Sequence, residues 1–317
     1  MRRQHLLTAV IACGGLVLFV YAVRSAGVAD IVSGVRRVGW GVLAILALAG
    51  LRFAARAESW RSCMRPGARF RFGRAFAAFV AGDTIGSLTP LGRIASEPAK
   101  VFLTRHRLAT GESVASLALD NLIYAGSALV MVAVGVVVML VTVPLSFEWR
   151  EAAVVSLIVL VVVVLGAMRA LRGTWSADKG PRPKWRERLA ALRESVFRFS
   201  VEHPGRFWQA FGWDVCFHVL AVYEAFFVLG WLLGDRSPTL AQAVVFEALN
   251  RLVTIAFNFV PFRVGVDEAL SGALAPVLAI NPAAGVTLAV IRKVRNLCWA
   301  GIGLLLILAH RGQRAPS

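Results

Sequence analysis

Acidic residues are scarce in this chain. Its 317 residues hold 18 Asp and Glu against 35 Lys and Arg, a formal net charge of +17. Cysteine is scarcer still: Cys13, Cys63, Cys216 and Cys298 lie too far apart to form a metal-binding run or a disulfide framework. They read as small apolar packing groups. The chain also lacks a Gly-x-Ser-x-Gly elbow, a His-Glu-x-x-His pair and a glycine-rich phosphate loop. Those absences remove the usual hydrolase, zinc-protease and nucleotide-hydrolysing signatures. No catalytic residue, metal site or cofactor is expected. The basic excess is no sign of nucleic acid either, because no nucleic-acid-binding module is visible.

What is abundant is apolar sequence. The chain is 58% hydrophobic with a mean hydropathy of +0.68, against about 45–50% apolar in soluble domains. Val154 to Leu165 is almost entirely Val, Leu and Ile, and Gly126 to Val143 carries no charge. Runs near the roughly 20 residues that cross a bilayer recur along the chain. The expected fold is all-α: one integral membrane domain over residues 1–317, with about six spans at about 5–23, 38–55, 112–141, 150–169, 207–233 and 283–309. The segment before Val23, with Arg2 and Arg3 at its start, is longer than a signal-peptide core and reads as a retained first helix.

Two further apolar regions, about 75–103 and 239–279, are interrupted. Thr89-Pro90-Leu91-Gly92-Arg93 breaks the first and Val260-Pro261-Phe262-Arg263-Val264-Gly265 the second. Broken backbone at membrane depth is tolerated only inside protein or beside a watery cavity, so both read as re-entrant helical hairpins. Charge placement sets the topology. Arg56, Arg61, Arg65, Arg69, Arg71 and Arg74, then Lys100, Arg105 and Arg107, then the segment from Arg169 to Arg206, fall on the cytoplasmic side. Both termini are expected in the cytoplasm of a multi-pass inner (plasma) membrane protein. Arg24, Arg36 and Arg37 go against the rule, since this topology puts them outside.

The polar linker at about 173–204 carries Trp185, Leu189, Leu192, Val196 and Phe199 on one helical face, among Lys184, Arg186, Arg188, Arg193 and Arg198. It reads either as an interfacial helix on anionic lipid or as a connector packed on the bundle. The halves it joins, about 38–141 and 207–310, match in spacing. Pro90 precedes Glu97, and Pro261 precedes Glu268, by seven positions; Gly111 and Pro282 follow the same prolines by twenty-one. With the charge-derived topology the halves form an inverted repeat, and paired broken segments in such halves point to a transporter's binding site. A half-helix ending at mid-membrane offers free N–H groups and a positive dipole end to an anion. Ser96-Glu97-Pro98 and Asp267-Glu268 look like caps of such half-helices.

At these residues the sequence resembles the lysylphosphatidylglycerol synthase transmembrane-domain family of flippase-like membrane proteins, over about residues 5–310. Its pattern of a Pro-rich turn, a basic residue and a Glu corresponds to Pro90, Arg93, Glu97 and Lys100. Its second Pro followed by Gly-Val-x-Glu corresponds to Pro261, Gly265, Val266, Asp267 and Glu268. The chain departs from it at Ser96, Arg263 and Asp120-Asn121, where Gly, Gly and Glu-Arg are usual. The resemblance implies a protein that moves or handles amphiphilic lipids, aminoacylated phospholipids in some members and glycolipids or hopanoids in others. The aminoacyl-transferring part of that family is a separate soluble domain, so synthase activity is not implied.

Ionisable groups at membrane depth are costly and mark functional sites. Arg93, Glu97, Lys100, Arg263, Asp267, Glu268, Arg292 and Arg295 are the candidate substrate-binding set, with Pro90, Gly92, Pro261 and Gly265 as hairpin breaks. Arg292 and Arg295 share a face of the last span and can pair with Glu247 or Asp267. Asp214 and His218, one turn apart with Glu224 further along, read as a hydrogen-bonded pair or, with Asp83 and Asp120, as a proton-coupling set. The expected function is a lipid flippase or transporter for an anionic or polar-headed amphiphile (phospholipid, glycolipid or hopanoid-type). The alternatives are a membrane enzyme acting on lipid phosphate or polyprenyl carriers, and a scaffold in envelope-lipid synthesis. Its partners are membrane lipids, anionic ones first; a homo-oligomer or a lipid-synthesis partner protein is compatible with the composition.

Overall fold

The computed structural model describes residues 20–312 except 22–23, 25–27, 69, 90–92, 173–197, 258–259 and 261–262. Most of the first expected span, most of the basic linker helix, and the breaks Pro90, Gly92 and Pro261 lie outside the described residues. Among the described residues every regular element is helical. In chain order these are α1 Val28–Val38, α2 Gly41–Ser62, α3 Phe72–Leu88, α4 Arg93–Thr104, α5 Thr110–Thr142 and α6 Phe147–Arg172. After the linker come α7 Pro204–Leu233, α8 Leu240–Ala256, α9 Val266–Leu274 and α10 Pro282–Gly312.

α1 is amphipathic, burying Ile31, Gly34 and Val38 and exposing Val28, Val32 and Val35. It meets α2 at 77°. Gly39, at φ +45°, makes that corner, and Trp40 stands on it 87% exposed, the placement of an interfacial aromatic anchor. The charge-derived topology expects Arg36 and Arg37 outside. They sit in this short helix, where Arg37 donates to the Leu232 carbonyl (3.3 Å).

Among the described residues, three helices are long and apolar enough to cross a membrane: α5, residues 147–166 of α6, and α7; the bent pair α1–α2, taken as one span, makes a fourth. α10, with 31 residues, is about 46 Å long, but Arg292, Lys293 and Arg295 interrupt its apolar run. Arg52, Arg56, Glu58 and Arg61 do the same in α2. Those charges of α10, and Arg52 and Arg56 of α2, are paired with carboxylates inside the bundle. α2 also runs seven residues past the expected end of its span at 55. Arg56, placed at the cytoplasmic edge from sequence, is 6% exposed and held by two carboxylates.

The interrupted regions resolve into short arms. α3 and α8 have 17 residues each, α4 has 12 and α9 has 9. At about 1.5 Å per residue all four fall short of the roughly 30 Å hydrocarbon core. α3 packs on α4 and α8 on α9; α2 lies along α7, α5 on α8, and α10 on α3. Exchanging α2 with α7, α3 with α8, α4 with α9 and α5 with α10 turns each principal packed pair among these eight helices into another packed pair. Glycine sets the closest approach at two exchanged crossings. A Cβ on Gly135 of α5 would lie 2.0 Å from the Ala248 Cβ of α8, and one on Gly303 of α10 would lie 2.0 Å from the Thr84 Oγ1 of α3. Small residues at crossings let helix backbones approach where lipid supplies no hydrophobic drive.

Candidate functional site

The bundle interior is bound together by charge. Arg52 and Arg56, four apart on α2, face inward together. Arg56 donates to Asp120 of α5 (2.7 Å) and to Asp214 of α7, while Ser59 donates to Asp120 (2.8 Å). Its guanidinium lies 4.2 Å from the Tyr124 ring centre, so one side chain ties three helices. Arg52 donates to Glu224 of α7 (3.0 Å) and lies over Phe217. Glu224, fully buried, also receives Arg295 and faces Arg292 at 3.3 Å. Arg292 continues to Glu247 of α8 (2.7 Å), which Arg251 holds from one turn further on (2.9 Å). Arg251 in turn donates to the Tyr124 hydroxyl (3.0 Å).

Each hairpin adds its own pair. On α4, Lys100 donates to Glu97 (2.9 Å), with its ammonium 3.9 Å from the Phe79 ring centre on α3. Gly82 makes room for that stem, since a Cβ there would lie 2.6 Å from the Lys100 Cγ. In the second hairpin Arg263 takes a left-handed φ of +48°, uncommon outside glycine, and donates to Asp267 (3.0 Å). Glu268 accepts the Gly265 amide at the start of α9 (2.8 Å) and pairs with Lys293 of α10 (2.5 Å).

These groups surround a cavity of about 240 Å³ between the hairpins. Among the described residues, Arg52, Arg56, Lys100, Arg251, Arg263 and Arg295 stand on its wall, and its carboxylates are Asp83 and Glu97. Asn121, Tyr124, Phe217 and Trp299 complete its lining with others. Asp120, Asp214, Glu224 and Glu247, which balance the arginines, are not on that wall. Arg52 Nε, Arg251 Nε and Glu97 Oε2 are buried without a hydrogen-bond partner.

Of the residues singled out from sequence, Glu97, Lys100, Arg263, Arg295 and Asp83 meet on this cavity. Asp267 and Arg292 line an adjoining space of about 70 Å³. Glu268 is 0% exposed and spent on the Gly265 amide and Lys293. Arg93 opens α4, and its side chain lies outside the described residues. Asp120 and Asp214 both clamp Arg56. His218 joins Ser127 (3.1 Å), and its Nδ1 has no partner, so no hydrogen bond links it to Asp214. Among the described residues no His, Cys, Asp and Glu cluster could hold a metal ion. Sequence reasoning missed Arg52, Tyr124 and Arg251 as wall residues. The available signal was the four-residue spacing of Arg52 with Arg56 and of Glu247 with Arg251, which puts each pair on one helical face.

The family model described as Lysylphosphatidylglycerol synthase TM region matches residues 6–303. No curated protein and no solved structure matches the chain.

Proposed function

We propose, on the premise that this chain belongs to the lysylphosphatidylglycerol synthase transmembrane-region family, that it carries an anionic phospholipid head group between leaflets through the central cavity. Family membership and its apolar helices make it an integral membrane protein of a lipid-associated family. The observation that carries the finer reading is the charge of the cavity wall, six cations against two carboxylates among the described residues, with the balancing carboxylates off that wall. A phosphate entering the space would meet the positive charge of these six side chains, whose hydrogen bonds to phosphate are charge-assisted. The volume of about 240 Å³ is below the roughly 300–1,000 Å³ of pockets that enclose whole drug-sized ligands. It suits a head group while the acyl chains stay in lipid. Chemistry on the lipid would need an acid and a base at the cavity, and His218 sits off its wall with Ser127.

The helix exchange described above supports an inverted repeat, with the two hairpins opening from opposite sides and meeting at the cavity. In proteoliposomes, labelled phosphatidylglycerol should cross between leaflets faster with the purified protein than without it. Equal rates would overturn the proposal. The same topology puts both termini in the cytoplasm. In a background without native cysteines, an impermeant thiol reagent added outside cells should label Phe147→Cys and leave Trp185→Cys unlabelled. Labelling at 185 would invert the arrangement.

A further inference from the structure

A second space lies on the other side of the first hairpin. It measures about 370 Å³ and shares no lining residue with the central cavity. Ala77, Ala78 and Ala81 of α3, Leu103 of α4 and Leu306 of α10 give it an apolar interior. Arg74, His106 and Arg107, all exposed, border it at the end of the hairpin away from the break, and among the described residues no carboxylate lines it.

We propose that this groove holds one anionic phospholipid as a bound, non-transported lipid, an acyl chain along the alanines and the phosphate at Arg74 and Arg107. An apolar groove facing a bilayer fills with hydrocarbon by default, because lipid tails are as apolar as leucine. Selection between lipids therefore comes from the mouth, where cationic side chains attract an anionic head and no described acidic residue opposes them. By the usual contribution of a surface Lys or Arg, two arginines favour an anionic over a zwitterionic lipid roughly thirtyfold. The groove floor is built from α3, α4 and α10, so its lipid would bind the first hairpin to the last helix. This inference does not rest on the transport reading.

The test is native mass spectrometry of the purified full chain from micelles doped with phosphatidylglycerol or phosphatidylcholine. The unmodified protein should retain phosphatidylglycerol at the groove and not phosphatidylcholine. Arg74→Gln with Arg107→Gln should lower that occupancy at least tenfold. Ala77→Phe, which fills the groove and keeps both arginines, should lower it equally. Lys100→Met with Glu97→Gln, which alters only the central cavity, should leave it in place. Retention of the lipid in either groove variant overturns the proposal, as does its loss in the central-cavity variant. Displacement by inorganic phosphate as effective as by phosphatidylglycerol would also overturn it, by showing a free-anion site.

Discussion

Glu224→Gln removes most of the folded protein from the membrane. The Glu224 carboxylate is fully buried and faces Arg52, Arg292 and Arg295, and glutamine leaves those three cations short of one negative charge. Breaking one buried pair from one side costs about 3–5 kcal/mol. Net stabilities are only about 5–15 kcal/mol, so a centre serving three arginines should dominate the balance. The expected reading is a large fall in monodisperse yield and in thermal midpoint in detergent. Glu224→Asp, which keeps the charge, should recover part of the loss. Glu148→Gln, at an exposed position near the start of α6, should change neither by more than about 0.5 kcal/mol. A Glu224→Gln protein with the unmodified midpoint would show that Arg292 and Arg295 find other partners.

The second large effect is on activity with the fold retained. Lys100 and Glu97 form a pair at the cavity wall whose side chains are 6% and 25% exposed. Removing both charges together leaves no stranded ion, and replacing a whole buried pair is often neutral for stability. Lys100→Met with Glu97→Gln should therefore fold. It should lose the lysine's charge-assisted hydrogen bond to a phosphate, about 1.5–3 kcal/mol, which corresponds to roughly a tenfold or greater fall in phosphatidylglycerol translocation. Arg263→Gln with Asp267→Asn repeats the experiment on the second hairpin. Unchanged rates in both double variants, with normal yields, would remove the hairpin charges from the transport path.

The parts of this design that sequence makes legible are those written locally. The hairpins show because Pro, Gly and charge break otherwise apolar runs at 89–93 and 260–265. The deep charges of α10 show because Arg292, Lys293 and Arg295 interrupt a long apolar stretch, and Glu247 is a visible partner for Arg292. Arg56 illustrates what stays hidden. Beside Arg61 and Arg65 it looks like a cytoplasmic flank, and only folding brings Asp120 and Asp214, 64 and 158 positions away, onto it. Glu268 fails in the opposite sense: its place after a helix break suggests a cavity carboxylate, yet Lys293, 25 positions on, and the Gly265 amide take up both its oxygens. The corner between α1 and α2 was unreadable for a third reason. A single glycine at φ +45° turns the chain through 77° directly after Arg36 and Arg37, and that charged pair reads in the sequence only as the flank of the span that follows.

Where the head group sits is the central claim, and cross-linking locates it directly. Phosphatidylglycerol carrying a photoactivatable group on its head, incorporated with the purified protein and irradiated, should modify Ser87, Asn121 and Thr254. These three wall residues come from α3, α5 and α8. Excess unlabelled phosphatidylglycerol should suppress all three together. Labelling confined to lipid-facing positions such as Val155 and Val162 of α6, both exposed, with Ser87, Asn121 and Thr254 unmodified, would contradict the account.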